Sequence, residues 1–360
     1  MIFQGNACGR VNLIGEHTDY NNGFVLPTSI PQETKCSLRL EDTGQIVFNS
    51  LHLEGRFTRT YALGSEDPQH QSSIEAITWA LAQEGVSIPG ATIQVNSSVP
   101  LGSGLSSSAA FSISVLRACI QAFKLDWNVE KIARIAQKLE NDFLGAHVGI
   151  LDPIACSLCS YGKALYLDTA TLKYEEVMIP HSMALIVIHS GVTHANNALQ
   201  GYNTRRQECE DACRKMHIDS LRAIDEPSSS LPSTLLKRVR HVVTENRRVH
   251  NAKKALESND AVWLGKLFHE SHTSLRDDYE VSVPEVDMLV ALMEDQDGCF
   301  GARITGGGFG GSIVALVDQF QFDTASLDHI LTCYTNKYDK KARILVSRND
   351  QRLPENARFI

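Results

Sequence analysis

The sequence predicts an α+β protein of two domains, residues 1–180 and 181–360, and three observations carry that prediction. Strand-like runs dominate the first hundred residues. Amphipathic helices follow at roughly Ala109 to Phe123 and Val129 to Phe143, with apolar residues at helical spacing. A new apolar strand, Ala184-Leu185-Ile186-Val187-Ile188, then opens a second series. Helical stretches come after it near Arg205 to Met216, Leu235 to Glu257 and Ala261 to His272, broken by the loop-like Pro227-Ser228-Ser229-Ser230-Leu231-Pro232. Strands mixed with helix pairs, without strict βαβ alternation, favour α+β layers over a doubly wound parallel sheet.

Along the chain, Val11, Leu13 and Ile14 read as a short strand and Phe24-Val25-Leu26 as its return, with the turn signal Asn21-Asn22-Gly23 ahead of it. The segment Gly9 to Tyr20 packs Arg10, Glu16, His17 and Asp19 around that turn. Fixed carboxylates match sugar hydroxyls through charge-assisted hydrogen bonds, and an arginine can face a phosphate. An exposed polar hairpin loop would have the same composition.

The strand-like Ala91-Thr92-Ile93-Gln94-Val95 leads into Pro100-Leu101-Gly102-Ser103-Gly104-Leu105-Ser106-Ser107-Ser108-Ala109-Ala110. Glycines let backbone amides approach an anion, and a helix starting near Ser106 would aim its free amides and positive dipole end at it. The three serines add hydroxyl donors and a magnesium ligand. The loop has no lysine and the chain has no Walker A pattern, so a different nucleotide-binding class is implied. A flexible Gly/Ser linker would not run straight into Phe111, Val115, Cys119 and Phe123 at helical spacing.

Asp168 to Pro180 reads as a connecting strand and turn. The third glycine cluster, Gly306-Gly307-Gly308-Phe309-Gly310-Gly311, formally contains the dinucleotide fingerprint, but a β-rich run, Ser312 to Val317, follows it where that fingerprint must open a helix. It reads instead as a tight backbone wall, either a plain turn or a support for the phosphate loop.

Composition sets the outer bounds. The 360 residues are 43% hydrophobic and 21% charged, as in a protein with two real cores, and there is no apolar run of membrane-spanning length or signal-type start. A net charge of −8 argues against a nucleic-acid or acidic-membrane partner. Arg205-Arg206 and Lys237-Arg238-Val239-Arg240 are expected to be solvated helix faces. Nine cysteines at irregular spacing fit a reducing, cytoplasmic setting, with most of them core thiols. Cys156/Cys159 and Cys209/Cys213 lie in segments that read as ordinary helices, so zinc is not expected. His269 and His272 lack the spacing of a metalloprotease pair.

The three glycine-bearing segments, in this order, resemble those of the GHMP small-molecule kinase superfamily and, within it, the galactokinases. Shorter likenesses lie between them: Glu140-Asn141-Asp142-Phe143, Gly149-Ile150-Leu151-Asp152, Tyr202 to Gln207, Val243 to Asn246 and Arg276 to Pro284. The resemblance implies an amino-terminal domain like ribosomal protein S5 domain 2 and a ferredoxin-like carboxy-terminal domain. It implies ATP-dependent phosphorylation of the anomeric hydroxyl of galactose. Asp152 would be the catalytic carboxylate and Arg10 its charged partner; Glu16, His17, Asp19, Tyr202 and the Gly149 backbone would hold the sugar. Gly102, Ser103, Gly104, Leu105, Ser106, Ser107 and Ser108 would bind ATP, and Ser108 and Glu140 would hold Mg2+. Its partners would be small molecules only, with no nucleic acid, membrane or obligatory protein partner.

Three departures from the family pattern bear on specificity. Pro153 stands where relatives carry glutamine, which biases Asp152 toward extended backbone. His70-Gln71-Ser72-Ser73, with Trp79 further along, replaces the usual aromatic residues near the adenine. Cys8 replaces a proline. These departures, with the altered segment Thr193 to Asn197, keep two alternatives open: a kinase for another sugar or galactose derivative, and a catalytically silent galactose-binding regulator.

Overall fold

The computed structural model describes residues 1–52, 55–62, 73–143, 145, 148–192, 195–226 and 230–347. His70-Gln71-Ser72, Thr193-His194 and Pro227-Ser228-Ser229 lie outside that set. Among the described residues the strands are β1 (Phe3–Asn12), β2 (Phe24–Val25), β3 (Pro27–Leu40), β4 (Gln45–His52), β5 (Gly55–Ala62), β6 (Ala91–Ser97), β7 (Lys163–Asp168), β8 (Tyr174–Met178), β9 (Met183–His189), β10 (Cys299–Thr305), β11 (Ser312–Asp318) and β12 (Arg343–Val346). The helices are α1 (Ser73–Gln83), α2 (Ser107–Phe123), α3 (Val129–Lys138), α4 (Leu151–Leu158), α5 (Ala195–Met216), α6 (Ser233–Glu257), α7 (Ala261–Asp277), α8 (Pro284–Glu294) and α9 (Ser326–Tyr338). The chain forms two compact units. One comprises residues 1–10, 32–101 and 105–159; the other comprises 11–31, 102–104 and 160–360.

In the first unit β6 is the hub. It runs antiparallel to β3, from Thr34↔Ser97 to Leu40↔Ala91, and parallel to β4, which is antiparallel to β5. Alternation along β6 buries Ala91, Ile93 and Val95 and turns Gln94 and Asn96 outward, the pattern of a sheet with one face on a core. Helices α2, α3 and α4 pack on one another. Strand β1 crosses α2 so closely that a Cβ on Gly5 would lie 2.0 Å from the Ser114 carbonyl oxygen, so no larger residue is tolerated there without movement. That crossing fixes the strand whose far end carries Arg10.

In the second unit β2 pairs with β7, and β7 with β8. A separate antiparallel sheet has the order β10-β11-β9-β12. Counted within that sheet the order is 2-3-1-4, the ferredoxin-like arrangement. All seven residues of β9 are buried, and Ile186, Ile188, Ile304, Ile313 and Ala315 share a core with Val239, Val242, Leu275 and Leu289 from α6, α7 and α8.

Several local expectations change. Leu13 and Ile14 lie beyond the end of β1 and pair with Leu26 through Leu13 N→Leu26 O (3.1 Å) and Leu26 N→Ile14 O (3.1 Å), while β2 itself pairs with β7, so there is no simple hairpin. Between them Asp19–Asn21 form a 3-10 turn closed by Asn22 in the left-handed region. The helix expected over Val129 to Phe143 is α-helical only to Lys138 and continues as a π-helical stretch, Leu139–Phe143. The predicted helix from Arg205 begins at Ala195. Arg238 is not solvated: it is 2% exposed and bonded to Glu208, Glu280 and the Asp278 carbonyl. Four of the nine cysteines are buried and five half-buried, rather than most lying in the core, and none is in a disulfide.

Candidate active site

In the first unit Arg10 and Asp152, 142 residues apart in sequence, form an ion pair. Arg10 Nε donates to Asp152 Oδ1 at 2.7 Å, and its Nη2 stands 2.6 Å from the same oxygen. The guanidinium side is buried, whereas the Asp152 side chain keeps 35% of its surface exposed. The Arg10 amide donates to the Leu105 carbonyl at 3.2 Å, tying β1 to the loop ahead of α2. Pro153 does not force Asp152 into extended backbone. Both residues lie in the first turn of α4, where the first helical hydrogen bond is Ile154 N→Ile150 O, so proline's missing N–H falls among amides that no helix satisfies. Gly149 is buried just ahead of that helix.

The start of α2 presents bare amides. Its first helical bond is Ala110 N→Ser106 O, and no side chain caps the end. Ser106 precedes it with φ +61°, a left-handed conformation costly for a non-glycine residue, and its Oγ is buried without a partner. Ser107 and Ser108 stand in the first turn. Ser108 Oγ donates to Glu140 Oε1, which the π-helical stretch presents. Burial pushes the Glu140 carboxyl up, the Ser108 hydrogen bond opposes that shift and nearby Asp152 adds to it. Two hard oxygen donors in this setting suit a small divalent cation, which would relieve the cost of a half-buried carboxylate.

Gly102, Ser103 and Gly104 group with the second unit. Ser312 Oγ donates to the Ser103 carbonyl at 2.6 Å, and a Cβ on Gly104 would meet the Thr305 carbonyl oxygen at 3.4 Å. The third glycine cluster therefore abuts this part of the phosphate loop, at the end of β10 and before β11, as a backbone wall.

Glu16 is 4% exposed and has a donor or cation at each of its four acceptor positions. Asn12 Nδ2 (2.7 Å) and Arg303 Nη2 (2.6 Å) face Oε2; Thr305 Oγ1 (2.9 Å) and the Gly306 amide (3.0 Å) donate to Oε1. Its carboxylate thus binds the first glycine-bearing segment to the third. His17, also buried and at φ +63°, sits in an aromatic box: its ring is 5.9 Å from Tyr20, 5.3 Å from Tyr202 and 4.8 Å from Tyr279, centre to centre. Asp19 opens the 3-10 turn half-buried, and its carbonyl accepts from Thr169 Oγ1 at 3.0 Å. The structure thus groups Glu16, His17 and Tyr202 within the second unit, and Arg10, Asp152, Ser108 and Glu140 within the first.

Sequence reading passed over Arg303 and gave Glu245, inside the Val243 to Asn246 likeness, no role, yet both hold this arrangement. Arg303, fully buried, donates to the carbonyls of Asn12 (3.1 Å) and Leu13 (2.9 Å) and to Ser271 Oγ (3.2 Å) besides pairing with Glu16. Glu245 accepts from the Gly15 amide (2.9 Å), Ser271 Oγ (2.7 Å) and Arg248 Nε (2.6 Å). An arginine two residues before Thr305 inside an apolar strand was the one local signal: only a paired charge survives there.

Acid should loosen this core. Burial, reinforced by His241 and Arg205, lowers His17 to about 3; burial lowers His241 to about 4. Burial alone would raise Glu245, but Arg248, His241 and Arg303 outweigh it and bring it to about 2. The unfolded chain takes up protons on the histidines below about pH 6.5 that the folded chain refuses, so stability is full above that value and falls toward pH 4; Glu245 adds a loss between about 4.5 and 2. Chemical denaturation at pH 7 and pH 5 should show a loss of about 2–4 kcal/mol at the lower pH. Equal stability at both values would contradict neutral burial of the histidines.

Comparison with known proteins places this geometry. The galactokinase galactose-binding signature matches residues 3–39, the GHMP kinases N terminal domain 72–160 and the GHMP kinases C terminal domain 252–334. Similar curated proteins include galactokinases of Roseiflexus sp. (strain RS-1), 38% identical over 98% of this chain and 93% of that one, and of Haemophilus influenzae (strain PittEE), 39% identical over 88% and 85%. The solved structure of Lactococcus lactis galactokinase complexed with galactose superimposes with TM-score 0.87 at 31% identity, covering 95% of this chain and 92% of that one. Methanococcus jannaschii mevalonate kinase, 17% identical with TM-score 0.67 over 96% of this chain and 97% of that one, shares the fold. With a galactose-binding signature, both GHMP kinase domains and relatives of this identity along nearly its whole length, the chain belongs to the galactokinase family of GHMP kinases.

Proposed function

We propose that this chain transfers the γ-phosphoryl group of ATP to the anomeric hydroxyl of galactose, giving galactose 1-phosphate and ADP. The observation that carries the reading is the Arg10–Asp152 pair: a buried guanidinium holds a carboxylate that stays one-third exposed at the head of α4. Phosphoryl transfer asks the protein for in-line positioning and for neutralised charge. Asp152 accepts the proton of the attacking hydroxyl, and Arg10 stabilises the charge that develops there. The amides at the start of α2, with Gly102 to Ser108, face the phosphates. His17, Asp19, Tyr202 and the Gly149 backbone hold the remaining hydroxyls; Glu16, expected from the sequence to join them, has its acceptor positions filled by Asn12, Arg303, Thr305 and Gly306 and sets the backbone beside His17 instead.

Ser108 and Glu140 would hold Mg2+, which supplies charge neutralisation on the phosphate oxygens when bound. The proposed partners are the sugar and ATP alone, in keeping with a net charge of −8. Among the described residues no helix is long and apolar enough to cross a membrane. Nine cysteines with no disulfide among them fit the reducing cytoplasm as the proposed setting. Neither the other-sugar kinase nor the silent regulator is favoured, since the curated relatives at 36–40% identity are galactokinases.

The test is coupled ATP turnover with magnesium and galactose, beside galacturonate, N-acetylgalactosamine, glucose and arabinose, with the product's phosphate position assigned by NMR. Phosphate on the anomeric carbon of galactose is expected. Turnover with another sugar only would overturn the substrate, and silence with all of them would overturn the kinase.

A further inference from the structure

Behind His17 runs a chain of hydroxyl groups. His17 Nδ1 lies 2.8 Å from the Tyr20 hydroxyl, that hydroxyl 2.8 Å from the Tyr279 hydroxyl, and that one 3.1 Å from Cys209 Sγ. Tyr279 and Cys209 are buried, and none of the three belongs to the sugar or phosphate sites described above. At the far side of the ring, His17 Nε2 is buried and makes no hydrogen bond with the protein. The Gly307 backbone comes near enough to favour a protonated ring slightly, without hydrogen-bond geometry.

Each phenol has one proton to donate, so the chain has two possible directions. In one, the thiol donates to Tyr279, Tyr279 to Tyr20, and Tyr20 to Nδ1. In the other, Nδ1–H donates to Tyr20, Tyr20 to Tyr279, and Tyr279 to sulfur. The first ends on an imidazole nitrogen, a good acceptor; the second ends on sulfur, a weak one. The Asn21 amide donates to the His17 carbonyl at 2.9 Å, which holds the backbone at the start of the chain.

We propose that Tyr20, Tyr279 and Cys209 are positioning residues that hold neutral His17 with its proton on Nε2, so that it meets a sugar hydroxyl oxygen as a hydrogen-bond donor and not as an acceptor. The proposal rests on the reading of His17 as a sugar contact. It explains why three polar groups are spent in an apolar, aromatic setting: each hydroxyl donates once and accepts once along the chain, and the imidazole nitrogen at its end sets the direction.

The test uses the full chain labelled with 15N-histidine, the His17 resonances being assigned by their loss in His17→Asn. The wild-type protein is expected to show His17 protonated at Nε2 and bare at Nδ1. Tyr20→Phe and Tyr279→Phe should shift the ring toward the Nδ1–H form and raise the galactose KM about five- to tenfold, with the ATP KM and kcat nearly unchanged. A wild-type ring protonated at Nδ1 overturns the proposal, a result that needs no variant to fold. Equal rises in both KM values also overturn it, since they mark a general structural defect. A tautomer shift with unchanged galactose KM leaves the proton assignment standing and overturns both the donor role and the reading of His17 as a sugar contact.

Discussion

Replacing Asp152 by asparagine is expected to cut turnover by about two orders of magnitude or more while leaving fold and galactose binding largely intact. Asparagine keeps an oxygen that can accept from Arg10 Nε, so the 2.7 Å contact and the first turn of α4 need not move. It loses the basic carboxylate that would take the hydroxyl proton. Steady-state kinetics with galactose and ATP would show the loss in kcat, with the galactose KM changed little. Near-normal turnover would remove Asp152 from the reaction. A large rise in the galactose KM at unchanged kcat would make the residue a binding group only.

Replacing Arg303 by methionine is expected to cost about 3–5 kcal/mol of folding stability, because it leaves the buried Glu16 carboxylate without its cation and takes a donor from the carbonyls of Asn12 and Leu13. That is a large part of the total for an ordinary protein, about 5–15 kcal/mol. Adding Glu16→Gln should recover part of the loss, since the unpaired charge is then gone. Denaturant midpoints of the wild type, both single variants and the double variant would measure the coupling. A loss under about 1 kcal/mol in Arg303→Met would show that water or rearrangement replaces the pair. Strict additivity of the two variants would show that they do not act on each other.

Much of the fold was legible because it is encoded over a few residues. Helical spacing after Ser106 announced α2, unbroken apolar character announced β9, and the β-rich run from Ser312 excluded a dinucleotide fingerprint for the third glycine cluster. Glycines at 102 and 104 were read as letting the backbone approach an anion, and both take positive φ, +63° and +77°, which glycine adopts without a Cβ penalty. Local rules also misled. A residue before proline is biased toward extended backbone, yet Asp152 lies in the first turn of a helix, where the N–H that Pro153 lacks would have had no helical partner. Asn-Asn-Gly suggested a hairpin, yet β2 finds its partner in β7.

What the sequence determined by itself is therefore the set of local conformations: where the backbone bends through glycine, where a helix can begin with free amides, and which segments are apolar enough to be buried. Which charged group meets which was decided by tertiary structure alone. Arg10 reaches Asp152 across 142 residues, and Glu16 is filled by Arg303, Thr305 and Gly306 from the far end of the chain. No local preference encodes such pairings. They arise because packing removes water from these side chains, and a group buried without water must find its partner among whatever other segments the fold brings beside it.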